Sequence, residues 1–163
     1  MTIAELLDDK IKKVKEKVET INKWLLNGFL PIDGLIVFTE KANDPDKANC
    51  IEVIEFATRQ NSKIAHKSVL TFMTKTLTEN APRVKWESAK VVGNVAHLFP
   101  TKLNKGISNL LTNTEYDGIV VRWGSAFALG EILKLKTKHF KDLLPAIKAI
   151  CNREQDNGIK KIS

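Results

Sequence analysis

The side chains best suited to chemistry in this 163-residue chain are three histidines, two cysteines and lysines placed at recurring intervals. His66, His97 and His139 could each move a proton near neutral pH or hold a metal ion, but an imidazole works in catalysis only when a second group orients it. The three fall in separate segments, spread over three hairpins. Ser125 lies in WGSAF, which lacks the second glycine of a nucleophile elbow. Phosphate-cradling glycine loops, H-E-x-x-H strings and metal-spaced Cys/His clusters do not occur. Cys50 and Cys151 lie far apart among apolar neighbours, which fits buried free thiols better than a disulfide framework. These patterns point to no catalytic residue, no metal and no cofactor, and they imply no small-molecule substrate.

The lysines are more suggestive. The formal charge is +7, and residues 63–110 hold eight Lys or Arg against only Glu79 and Glu87. Lys63 and Lys67, Lys102 and Lys105, and Lys138 and Lys141 recur at equivalent places, the last two pairs just after Thr101 and Thr137. If those threonines cap helices, the lysines occupy first turns, where the helix dipole disfavours cations by a few tenths of a kcal/mol, roughly. Solubility alone explains such a charge set as a solvated face. The functional alternative is an aligned basic ridge that meets phosphates or acidic side chains.

Helices must position these residues. Alternating strand patterns are nearly missing, whereas Leu7, Ile11, Val14, Val18, Ile21 and Leu25 repeat at three- and four-residue intervals and predict one helix over about Ala4–Asn27. Further helical segments are predicted at about 46–59, 63–79, 82–98, 102–112, 119–135 and 138–151, with short polar breaks between them. Short connections make consecutive helices antiparallel neighbours. The chain therefore divides into an N-terminal helical cap (1–43), hairpins at 44–80, 81–117 and 118–156, and a terminal stub (157–163). Pro145 requires the last helix to start late or to bend. No apolar run approaches membrane-spanning length and the N-terminus lacks a secretory core, so a cytoplasmic protein that does not engage a membrane is expected.

Two stretches repeat in phase. Val84 opens VKWESAKVVG and Val121 opens VRWGSAFALG, which places Trp86 and Trp123, Ala89 and Ala126, and Gly93 and Gly130 each 37 positions apart. A helical wheel puts most of Val84–Phe99 on a broad apolar arc and leaves Glu87, Lys90, Asn94 and His97 on the narrow remainder. Such a helix needs neighbours on two sides. The two glycines cost about 1 kcal/mol each in a helix interior, which suggests close helix approach with the tryptophans filling the wedge beside them. Phe127 takes the stripe position that Lys90 holds one repeat earlier, a candidate apolar contact. Lys85 and Arg122 are expected to hydrogen-bond the preceding loop, with Asp117 as a partner for Arg122.

The patterns V-K-W-x-S-A-x-x-x-G and V-R-W-x-S-A-x-x-x-G resemble the first helices of HEAT repeats, the armadillo-type helical hairpins. The likeness is specific over 82–151, weaker over 44–80 and absent before Gly28. It implies an all-α, right-handed α-α superhelix of about eight or nine helices, with second helices lining the concave surface. It also implies a scaffold that binds proteins or, in some members, nucleic acid. The leading expectation is thus a non-enzymatic scaffold that takes a protein partner through its concave or basic face. A second is a DNA-binding protein or repair enzyme similar to the HEAT-like alkylpurine glycosylases. Those enzymes use a Trp and Asp pair, whereas here Glu87 follows Trp86 and Gly124 follows Trp123. A third is an oligomer that buries the C-terminal hairpin and Phe127 against another copy.

Overall fold

A computed structural model describes residues 1–154. Nine α-helices occupy the described residues, with no strand among them: α1 (Ile3–Asp8), α2 (Val14–Leu26), α3 (Ile32–Glu40), α4 (Asp44–Gln60), α5 (Lys67–Thr76), α6 (Pro82–Val95), α7 (Asn104–Asn113), α8 (Ile119–Lys134) and α9 (Phe140–Arg153). The proposed stub at 157–163 lies outside the described residues. None of these helices is long and apolar enough to cross a membrane.

The N-terminal segment forms two helices where one was expected. The Asp9 carboxylate accepts the backbone N–H groups of Ile11 (2.8 Å) and Lys12 (3.2 Å) and so offers the chain a turn instead of a further helical turn. Ile11 is consequently 94% exposed rather than part of an apolar stripe. The second helices also begin later than their sequence suggests. A 3-10 turn at Ser62–Ile64 precedes α5, and Leu103 and His139, not Thr101 and Thr137, occupy the N-cap positions of α7 and α9. Leu103 is fully buried, so the chain spends two extra residues seating it before the helix can start. Pro145 sits inside α9, where it lacks the N–H that would bond one turn back.

The helices pack as two rows. One runs α2, α4, α6, α8, each against the next, with α6–α8 and α4–α6 the most extensive contacts in the molecule. The other row, α3, α5 and α7, packs more loosely along its length and holds to the first through α3–α4, α5–α6 and α7–α8. A continuous apolar core lies between the rows, from Leu6 and Ile21 through Ile51, Val69, Val92 and Leu110 to Leu129 and Ile150. The HEAT resemblance implies recognition on second helices, but the tightest interhelical packing runs through the first helices.

Glycine explains that closeness. A Cβ on Gly93 of α6 would stand 2.6 Å from Phe127 Cε2 and 3.3 Å from the backbone of Ala128, and one on Gly124 of α8 would stand 2.7 Å from Trp86 Cδ1. The wedge residues are therefore Phe127 over Gly93 and Trp86 over Gly124, a reciprocal pair. Sequence reasoning assigns both wedges to tryptophan and places Phe127 on an open stripe. Phe127 is half-buried because the neighbouring helix supplies the glycine beneath it.

The repeat boundaries carry a second recurring device. Buried Lys85 donates to Leu77 O (3.0 Å) and to Asn113 Oδ1 (3.2 Å), and Asn113 Nδ2 donates to the same carbonyl (3.0 Å). One repeat later, Arg122 donates to the carbonyls of Tyr116 (3.0 Å) and Asp117 (2.7 Å) and pairs with Glu154 (2.9 Å). Both cations donate to backbone carbonyls at the turn that precedes their helix.

Candidate functional site

Three helices of the first row contribute stripes of side chains four residues apart, the spacing that stacks residues on one helix face. Glu55 and Arg59 come from α4, Trp86, Lys90 and Asn94 from α6, and Trp123 and Phe127 from α8. Together they line a cleft of about 310 Å³. Trp123 is 42% exposed at its edge, and Phe56, 43% exposed, lies on α4 with the Arg59 guanidinium 4.6 Å over its ring.

Beneath these aromatics lies a buried polar layer. Glu55 is only 6% exposed and Glu87 only 3%. The helical wheel of α6 assigns Glu87 to the solvent side, but the approach of α4 covers that stripe and encloses it. Lys90 Nζ serves both carboxylates, 3.5 Å from Glu55 Oε1 and 3.2 Å from Glu87 Oε1, and sits 4.2 Å from the Trp86 ring centroid. Burial pushes the Glu87 carboxyl above the usual carboxylate range, with Lys90 pulling against it. Glu55 Oε2 and Glu87 Oε2 have no hydrogen-bond partner among the described residues. Arg59 Nε approaches Glu55 Oε2 at 3.3 Å without hydrogen-bond geometry. Asn94 Nδ2 donates to Glu55 O (3.1 Å) and to Thr58 Oγ1 (3.2 Å), which fixes α6 against α4.

The six lysines singled out by the sequence divide into groups. Lys67, Lys102 and Lys105, joined by Lys75, line one groove of about 840 Å³ on the α3, α5, α7 row. Lys138 and Lys141 line a separate depression with Phe140. Lys63 is exposed on the 3-10 turn and lines neither. Lys102 and Lys138 precede their helices, so only Lys67, Lys105 and Lys141 occupy first turns. The cleft and the lysine groove belong to different rows.

Among the described residues, His66 and His97 are not set between an acid and a hydroxyl. His66 Nδ1 meets Asp33 Oδ2 at 3.1 Å, and Ser68 donates to the other oxygen of the same carboxylate. A hydrolytic triad needs the imidazole between acid and hydroxyl; here the acid stands between imidazole and hydroxyl. These contacts hold the Asp33 carboxyl below its ordinary range, Ser68 contributing most. His97 is exposed and bonded to Ser62 (3.2 Å), while Ser125 is fully buried. Among the described residues no group of three His, Cys, Asp or Glu is arranged to hold a metal. Burial raises the Cys50 thiol to about 11, so it is a poor nucleophile.

Sequence reasoning missed Glu55, Arg59 and Asn94, because their meeting depends on which helices neighbour which. The signal that was present is the four-residue series Trp86, Lys90, Asn94 together with Trp123, Phe127 one repeat later. Comparison with protein-family models, with curated proteins and with solved structures returns no match in any of the three.

Proposed function

We propose that the chain is a non-enzymatic scaffold of HEAT-type helical hairpins that binds a protein partner on the α4, α6, α8 face. The observation that carries this reading is the cleft itself, in which Trp86, Trp123, Phe127 and Arg59 surround a solvent-open hollow above buried carboxylates. Tryptophan and arginine dominate the energetics of protein interfaces, and they do so in pockets that exclude water. Trp123 leaves 42% of its surface outside the core it flanks, and exposed aromatic surface of this kind suits an interaction site. The resemblance of 82–151 to HEAT repeats supports the scaffold role, while the choice of face rests on the cleft, and a cytoplasmic setting belongs with this reading.

The test is affinity capture with the wild-type chain and with Trp123→Ala and Phe56→Ala. A partner retained by the wild type and lost by both variants, at unchanged melting temperature, is the expected result. Recovery of the same proteins by all three chains contradicts it.

A second reading rests on the lysine groove. Lys67, Lys75, Lys102 and Lys105 gather where a phosphate backbone would gain several charge-assisted contacts. Because the groove and the cleft lie on different rows, a strand seated on the lysines would not present a base to Trp86 and Trp123. This geometry favours simple nucleic-acid binding over the base-releasing repair enzyme. Salt-dependent anisotropy with DNA and RNA tests the binding, and absence of base release from methylated DNA is expected.

A further inference from the structure

The cleft is short of one hydrogen-bond donor: Glu55, which lines it, keeps a carboxylate oxygen without one, although the cations of Lys90 and Arg59 stand beside that carboxylate. Two carboxylates, Glu55 and Glu87, are more than nine-tenths buried, and the single ammonium of Lys90 is divided between them. Arg83 does not make up the difference, since it is committed to Glu52 (2.5 Å) and Asn49 (2.7 Å). Arg59 is 57% exposed at its side chain, rests on Phe56 and leaves Glu55 Oε2 without a hydrogen bond. A buried carboxylate oxygen lacking a donor is costly, and this one belongs to a residue that lines a cleft walled by Trp86, Trp123 and Phe127.

Resting on the scaffold reading, we propose that the cleft receives an arginine side chain from the partner protein, stacked on Trp123 and donating to Glu55. A guanidinium is planar and weakly hydrated, offers five donors and stacks on aromatic faces, so it meets both the wall and the floor. Arg59 already shows the fit, lying as it does on an aromatic ring beside Glu55. The incoming group displaces Arg59 outward and completes the acceptor that Arg59 leaves open. The lysines that would gather a phosphate-bearing ligand, Lys67, Lys75, Lys102 and Lys105, line the other row.

The test uses the full chain and the capped pentapeptides Gly-Gly-Arg-Gly-Gly and Gly-Gly-citrulline-Gly-Gly, with binding followed by calorimetry and tryptophan fluorescence. Citrulline keeps the shape and removes the charge. The arginine peptide is expected to bind about tenfold more tightly or better, and Glu55→Gln is expected to erase that preference. Equal binding of both peptides overturns the proposal on the wild-type protein alone, whatever the variant does to folding. Quenching of the tryptophans by a single-stranded oligonucleotide that competes with the arginine peptide also overturns it, in favour of a base as occupant. If the peptides are not distinguished while a captured partner still depends on Trp123, the arginine proposal fails and the scaffold reading stands. If no partner depends on Trp123, the scaffold reading fails first.

Discussion

The ring of Phe127 lies on Gly93 across the α6–α8 crossing, so close that a methyl group on that glycine would stand 2.6 Å from Cε2. Gly93→Ala therefore sets two effects against each other. Alanine improves helix propensity by about 1 kcal/mol, and overpacking costs about 1–3 kcal/mol. Because the backbone of Ala128 is also within 3.3 Å, overpacking should win and denaturant unfolding should show a net loss. In a Phe127→Ala background the same substitution should become neutral or stabilising, a non-additivity that a double-mutant cycle reads directly.

Lys85→Met should cost on the order of 2 kcal/mol, since Leu77 O and Asn113 Oδ1 then lose a buried donor. Lys85→Arg should cost much less, because Arg122 performs the equivalent task one repeat on. Equal losses for the two variants would show that packing, not loop bonding, is the role of this position.

Much of the architecture was legible in the residues. The apolar spacing and the regular polar breaks gave the helices of 44–151, and the doubled Trp, Ala and Gly marked α6 and α8 as close neighbours. What was not legible came from competition between local and tertiary forces. The carboxylate of Asp9 captured two backbone amides and split the first helix, and burial of Leu103 delayed the start of α7. A helical wheel records only which residues share a face, so the polar stripe of α6 read as solvated until α4 was seen to cover Glu87. Spacing along the chain could not say which lysines meet: Lys67, Lys102 and Lys105 line one groove, while Lys138 and Lys141 stand apart.

Glu87 predicts a pH signature. Its carboxyl is raised by burial, so the folded state holds the proton more tightly than the unfolded chain does. Its contribution to stability is full below the ordinary carboxylate range and is lost as pH rises through the raised folded-state value, above which the buried ionised form is a burden. Glu87→Gln does not titrate and Lys90 keeps Glu55, so the variant should gain on the wild type as pH rises out of the ordinary carboxylate range. Stability curves with a constant offset across that rise would contradict the shift.

The two faces should be separable. Combined reversal of Lys67, Lys102 and Lys105 to glutamate should weaken nucleic-acid binding and flatten its salt dependence by about three charges' worth of slope, and Trp123→Ala should leave that binding unchanged. The converse is expected for a protein partner. A variant on either face that abolished both would mean that cleft and groove serve a single ligand.

The most direct measurement follows the indole N–H resonances of the chain's three tryptophans while the arginine pentapeptide is added. Trp24 packs against Phe29 with ring centroids 5.6 Å apart, away from the cleft, and serves as the internal control. Seating of the guanidinium in the cleft requires the Trp86 and Trp123 signals to shift together with one midpoint while Trp24 stays still. If neither moves, or all three drift alike, the cleft does not receive an arginine.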